Sequence, residues 1–398
     1  MSFQHILDLS DKLKEQLVEW RRDFHQHPEI GYQEIRTSAI VAKHLRSLGL
    51  EVTTNVGGTG VVGLLRGEQE GPTVGLRADM DALPIQDDKE VSYRSMNSGL
   101  AHLCGHDAHT TMLMGAAELL CSLGRPPQGN IKFIFQPAEE GFAGAKAMME
   151  DGVLDNPEVE AIVGLHVYPG MSTGTIGIAK GVAFASVDSM EIHIIGKGGH
   201  AARPHEGVDA IAVSAQVITA LQNIASRMID PLETVVITIG TIEGGVMGAA
   251  LAPSVKMVGT IRTLSPAVRD QMPILIERVI RGVTESFGAG YELNYIKSYP
   301  AVWNNETMVD KVTEASERLF GSKCWDYIKP STGGEDFAFY AEAIPGAFFR
   351  IGTGNDEART RYPLHHSHFD LDENALPFGV AILSAVALHY LSSSILSS

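Results

Sequence analysis

Four side chains able to bind a metal or move a proton stand within six positions of one another in Cys104-Gly-His106-Asp107-Ala-His109. A thiol and an imidazole two residues apart suit a borderline-soft divalent ion such as zinc, provided the rest of the chain supplies partners. Alone, the segment equally describes a buried cysteine followed by polar groups at a helix start. Gln136-Pro137-Ala138-Glu139-Glu140-Gly141 offers two adjacent carboxylates after an apolar run, one of which could face a metal and the other a water. An exposed pair of loop glutamates would read the same way. His166 closes the apolar run 161–165, and Leu364-His365-His366-Ser367-His368-Phe369 brings further imidazoles from far along the chain. Asp79 and Asp81, spaced to face one side, could orient a metal-bound histidine. His200, in Gly196-Lys-Gly-Gly-His200, is either a site residue or a polar turn residue.

These residues need elements that bring them together. Apolar spacing predicts an amphipathic helix through Leu13, Leu17, Trp20 and Phe24, and another through Ile35, Val41, Leu45 and Leu48, closed by Gly49. Strands are expected at 60–65, 73–76, 130–135 and 161–165, with a helix around 112–123. Strands alternating with helices imply an α/β sheet. The candidate groups then sit just past strand ends, where ligands bind in open α/β sheets. From about Val187 the pattern becomes strand 189–196, helix 208–228, strands 234–242 and 255–264, helix 267–287 and strand 291–299. That β-α-β-β-α-β order is ferredoxin-like. The predicted organisation is a catalytic domain at 1–186, an inserted ferredoxin-like domain at 187–299 and the remainder of the catalytic domain at 300–398, where strand 347–352 and helix 374–391 return to the main sheet.

The chain has 398 residues and a formal charge of −17, with no Lys/Arg block suited to phosphate backbones or anionic lipid. Neither nucleic acid nor a membrane is an expected partner. Three cysteines, Cys104, Cys121 and Cys324, cannot make a disulfide framework. The N-terminal stretch lacks a basic segment followed by an apolar run, and no stretch of about 18 apolar residues is expected to span a membrane. A cytoplasmic, soluble protein is expected.

In order along the chain, RADMDALP, CGHDAH, QPAEEG, GLH, GKGGHAARPH, GTIRT, GGEDF and LHHSHF together resemble the signature of the metallopeptidase family that includes bacterial N-acyl-amino-acid hydrolases, hippurate hydrolases and auxin-conjugate hydrolases. The resemblance runs from about Trp20 to Phe378. It implies a mixed-sheet, zinc-peptidase-like catalytic domain and two divalent ions per subunit (Zn, Mn, Co or Ni), held by Cys104, His106, Glu140, His166 and His365. It further implies that Glu139 is the general base, Asp81 supports a ligand, and His200 serves the carbonyl oxygen in a partner's active site within a homodimer or higher oligomer. Arg262 resembles a position that recognises a substrate carboxylate, a role its bidentate guanidinium suits. Asp79 stands where more distant carboxypeptidase-like relatives carry a metal-binding histidine.

The implied reaction is metal-dependent hydrolysis of the amide of an N-acyl amino acid or related conjugate. One departure matters: where relatives commonly carry an Asn-Val-Ile-Pro-like stretch, this chain has Ala250-Leu251-Ala252-Pro253. That opens an amide lacking a carboxylate as an alternative substrate, beside short peptides cleaved in carboxypeptidase or dipeptidase fashion. Rival mechanisms are a Cys104 nucleophile with His106 or His109 as its base, and a non-catalytic metal-binding protein.

Overall fold

The computed structural model describes residues 3–394, which divide into two compact units. The larger comprises 3–183, 303–329 and 336–394, and the smaller 184–302 with 330–335.

The larger unit is built on an eight-stranded mixed sheet. Its order is Glu51–Val56, Gly60–Arg66, Asn130–Gln136, Thr73–Asp79, Ala161–Ser172, Gly346–Gly354, Ile176–Ile178 and Trp325–Tyr327. The middle strands run parallel from Asn130–Gln136 through Thr73–Asp79 and Ala161–Ser172 to Gly346–Gly354. Thr73–Asp79 is buried along its whole length, as expected of a parallel strand covered on both faces. Gly346–Gly354 enters between Ala161–Ser172 and Ile176–Ile178, two strands only a short turn apart in sequence.

Helix His106–Ser122 is buried nearly all round, the state expected of a helix apolar on every side. Helix Ala375–Ser394 packs on it and on helices Phe3–Lys12 and Glu306–Phe320. Contrary to the expectation that no such stretch exists, Ala375–Ser392 is long and apolar enough to cross a membrane by length and composition. It is 78% buried inside the protein, so its composition answers to the core. The helix expected through Leu13–Phe24 is Lys14–Gln26, and a further helix, Phe3–Lys12, precedes it.

The smaller unit has its own core, centred on Met190, Ile192, Val217, Met257 and Ile276. Its four strands lie in the order Val235–Gly244, Ser254–Thr263, Ser186–Ile195 and Gly290–Lys297, each antiparallel to its neighbour, with helices Ala210–Asn223 and Pro266–Phe287. Asp209 accepts from Ile211 N–H to start the first helix, and Ser265 accepts from Val268 N–H ahead of Pro266 to start the second. The first helix ends at Asn223, and a wider π-type turn over Ile224–Met228 completes the span predicted as helix. Residues 330–335 join this unit rather than the catalytic remainder, because Ser331 pairs with Phe184 and accepts from Ala185 N–H.

Candidate metal centre

Cys104 and His106 flank Gly105, whose left-handed backbone (φ 95°) starts the buried helix His106–Ser122. A Cβ at Gly105 would lie 2.2 Å from Val167 Cγ2, so only glycine lets the helix start this close to the neighbouring strand. His166 lies inside Ala161–Ser172 rather than at a strand end, opposite Arg350 of the parallel neighbour. His365 has φ 66° and donates its N–H to Leu103 O at 2.7 Å, which brings the far end of the chain onto the residue preceding Cys104. Such a backbone in a non-glycine residue costs about 1–3 kcal/mol and persists where surrounding contacts enforce it.

The side chains converge. Cys104 Sγ lies 3.4 Å from His166 Nε2 and 3.3 Å from His365 Nε2, and His365 Nε2 is 3.2 Å from Glu140 Oε1. Ligand atoms about 2.0–2.3 Å from a shared ion in a tetrahedral arrangement sit roughly 3.3–3.8 Å apart, so these spacings are those of donors around a metal. Three overlapping groups have their donor atoms within 4.8 Å of one another: Cys104, His106 and His166; Cys104, Glu140 and His365; and His106, Glu139 and Glu140.

Two atoms test the fit independently. His106 Nε2 and Glu140 Oε1 are buried and make no hydrogen bond. Glu140 Oε1 is close enough to His365 to count as an ion pair, yet the angles are not those of a hydrogen bond; both atoms aim at common space. An orphaned buried polar atom costs about 1–3 kcal/mol, a cost that a bound cation removes.

The groups behind the donors fix their orientation. Asp81 Oδ1 accepts from Glu139 N–H and lies 3.2 Å from His106 Nδ1, while Oδ2 accepts from Glu140 N–H. One carboxylate thus turns His106 Nε2 inward and holds the backbone of both glutamates. His166 Nδ1 lies 2.7 Å from Val167 O, leaving Nε2 as its donor atom. His109 Nε2 accepts from Val167 N–H, so its proton sits on Nδ1, 2.6 Å from Asp79 Oδ1. Asp79 also accepts from Arg77, whose guanidinium continues to Gln136 and Asp336. Asp79 and His109 therefore buttress the His166 strand.

Asp107 turns away from this cluster to Arg21 Nε at 3.0 Å and His25 Nδ1 at 2.6 Å, which removes it from the potential ligands of its segment. Sequence reasoning gave no role to Asp336, although it quoted the Gly-Gly-Glu-Asp-Phe stretch that contains it. Asp336 accepts from Arg77, Gln136 and Ala145 N–H.

Burial, then the charges of Glu140, Glu139 and Asp79, push the Cys104 thiol well above its ordinary value. Burial pulls His106 down, but the charge of Asp79 and the hydrogen bond and charge of Asp81 outweigh it and push the ring up to about 10. Surroundings negative enough to hold a proton there favour a divalent cation, under which the thiol ionises. A thiol held protonated is a poor nucleophile, which weighs against the Cys104-nucleophile mechanism.

His200 and Arg262 belong to the smaller unit. His200 is exposed, and its Nδ1 accepts from Ala202 N–H at 3.1 Å, which leaves Nε2–H as an outward donor. Ala250, the position of the sequence departure, pairs directly opposite His200 in a two-stranded ladder. Arg262 is half-buried, its pKa lowered by burial with no carboxylate opposing the shift.

Comparison with known proteins agrees with this chemistry. Residues 75–389 match the peptidase family M20/M25/M40. A probable hydrolase of Synechocystis sp. is 43% identical over 385 residues, covering 96% of this chain and 98% of the relative. The N-acetyl-L-cysteine deacetylase of Bacillus subtilis is 39% identical over 364 residues, covering 92% of this chain and 85% of the relative. The crystal structure of a Bacillus subtilis dinuclear metal-binding peptidase of the M20 family matches with TM-score 0.83 and 35% identity, covering 96% of this chain and 99% of that one.

Proposed function

Since the chain belongs to the M20/M25/M40 peptidase family and is a metal-dependent amidohydrolase, we propose that it cleaves the amide bond of small N-acyl amino acids or related short conjugates. The observation that carries the reading is the convergence of Cys104, His106, Glu140, His166 and His365 beside Glu139. In this reading Cys104, His106 and His166 would hold one divalent ion and Cys104, Glu140 and His365 a second. Bound there, Zn, Mn, Co or Ni would polarise the scissile carbonyl and acidify a water. Glu139 takes the proton of the attacking water and returns it to the leaving amine, while Asp81 keeps both glutamates and His106 in register.

His200 donates Nε2–H to the developing oxyanion, a contribution of about 3 kcal/mol for one such donor. We further propose that it does so for the partner in a homodimer. The outer sheet strand Val235–Gly244 supports an assembly of this kind, with Val236 and Ile242 exposed along it and Val246 and Met247 exposed just beyond. Arg262, a half-buried cation, receives the substrate carboxylate. The sparse free cysteines support a cytoplasmic setting.

A second reading, an amidase for substrates without a carboxylate, rests on Ala250 facing His200 where relatives commonly carry an amide side chain. Short peptides cleaved in carboxypeptidase fashion would need the same machinery. Hydrolysis of N-acetyl and N-benzoyl amino acids, dipeptides and matched carboxylate-free amides, by metal-stripped and Zn-, Mn- or Co-reconstituted protein, separates these readings. Metal-dependent cleavage confined to carboxylated acyl amino acids is the expected result. Preference for carboxylate-free amides would shift the assignment to the amidase. Activity unaffected by stripping would overturn the mechanism, and metal binding without any cleavage would leave the non-catalytic reading.

A further inference from the structure

The loop that carries Glu139 and Glu140 is conformationally expensive. Ala138 (φ 57°, ψ 43°) and Ala143 (φ 56°, ψ 47°) both adopt the left-handed region, and Gly141 lies between them at φ 88°. Alanine does not hold that conformation unaided. Asp81 holds the amides of Glu139 and Glu140, and Asp336 that of Ala145. A further anchor comes from residues 29–34.

Glu34 directly precedes helix Ile35–Ser47, at the position whose side chain ordinarily caps a helix, but makes no cap hydrogen bond. Glu29 takes that role, accepting from Arg36 N–H at 3.0 Å and Thr37 N–H at 2.8 Å. Glu34 is thereby released to turn inward. Its buried carboxylate accepts from Ala138 N–H at 2.9 Å through Oε1 and from the Thr59 hydroxyl through Oε2. The same segment touches the loop twice more. Tyr32 donates its hydroxyl to Phe142 O at 3.1 Å, and a Cβ at Gly31 would lie 2.9 Å from Phe142 Cδ2 and 3.0 Å from Ala138 Cα. It is also laced to the residue after Asp81, through Ala82 N–H to Glu29 O at 2.8 Å.

We infer that Glu34 is a positioning residue for the proposed base: by fixing the amide of left-handed Ala138 it sets the direction in which Glu139 leaves the loop, with Gly31 and Tyr32 completing the clamp. The inference rests on the proposed role of Glu139.

The test compares Glu34→Ala, Glu34→Gln and Gly31→Ala with wild type by hydrogen–deuterium exchange over residues 137–144, and by kcat and KM at saturating metal. Glu34→Ala is expected to exchange faster across the loop and to lose about 10–100-fold in kcat with KM little changed, the scale of a misplaced catalytic group. Glu34→Gln retains a carbonyl oxygen for Ala138 N–H and should restore both readouts, which a general loss of stability would not produce. If Glu34→Ala does not fold, Gly31→Ala takes its place, with the same losses expected beside a wild-type-like Glu34→Gln. Unchanged exchange and kcat in the disruptive variant, or a Glu34→Gln as impaired as it, overturns the clamp. Should wild type hydrolyse nothing, exchange still decides the clamp while the functional reading fails by itself; hydrolysis with unchanged exchange fails the clamp alone.

Discussion

At the scale of single residues the glutamates and the cysteine separate by chemistry. Glu139→Gln keeps the backbone that Asp81 holds but removes the proton acceptor, so kcat should fall about 10²–10⁴-fold while metal content stays at the wild-type level. Metal loss in that variant, measured by elemental analysis, would move Glu139 from base to ligand. Cys104 stands in both groups proposed to hold an ion, so Cys104→Ala should release both ions together, whereas His166→Ala should spare one. Glu34 gives a pH signature of its own. Burial, partly offset by the Thr59 hydrogen bond, pushes its carboxyl from 4.5 up to about 7. The folded protein then holds a proton that the unfolded chain gives up, so this contribution is complete below about pH 4.5 and is lost as pH rises through about 7. Glu34→Gln cannot lose that proton. Its Tm relative to wild type should therefore be higher near pH 8 than near pH 5, and a difference that ignores pH would refute the burial argument.

At the scale of elements, the centre depends on how closely helix His106–Ser122 approaches the strand carrying His166. Gly105→Ala combines a left-handed backbone with a methyl 2.2 Å from Val167 Cγ2, and should cost about 2–4 kcal/mol in urea unfolding while weakening metal binding. Wild-type stability would mean that the helix start can shift without penalty. Elements of this kind are legible in sequence because period and motif agree: the β-α-β-β-α-β order and the strand before Gln136 follow from apolar spacing. Others carry too little signal. Ile176–Ile178 and Trp325–Tyr327 have three residues each, and only their neighbours in the sheet make them strands. Helix Glu306–Phe320 shows Met308, Val309, Val312, Ala315 and Leu319 on one buried face, a helical period that the sequence carries. The donor groups could be named from their types and order, yet the tethers could not. Nothing local marks Glu34 as reaching Ala138, or Asp107 as turning to Arg21, because both contacts join residues more than eighty positions apart.

At the scale of the whole molecule, each unit has a hydrophobic core of its own. The proposed homodimer gives a test that no single variant can mimic. If Glu139 of one copy works with His200 of the other, Glu139→Gln and His200→Ala proteins allowed to exchange subunits should recover up to about a quarter of the competent sites, as two-fold symmetry requires. No recovery, with exchange confirmed by mass, would place both residues within one copy or dismiss His200. The sheet order has a consequence for how the protein is made. Strand Gly346–Gly354 lies between Ala161–Ser172 and Ile176–Ile178, which leave the ribosome almost together. At ordinary synthesis rates the central sheet waits on the order of ten to thirty seconds with that slot open, until the strand that fills it has been translated. During that interval the unpaired edge of Ala161–Ser172 can be taken by any passing strand, including one from another nascent copy. The yield of folded enzyme should thus depend on how fast the smaller unit is translated, and on whatever shields the open slot until Gly346–Gly354 arrives.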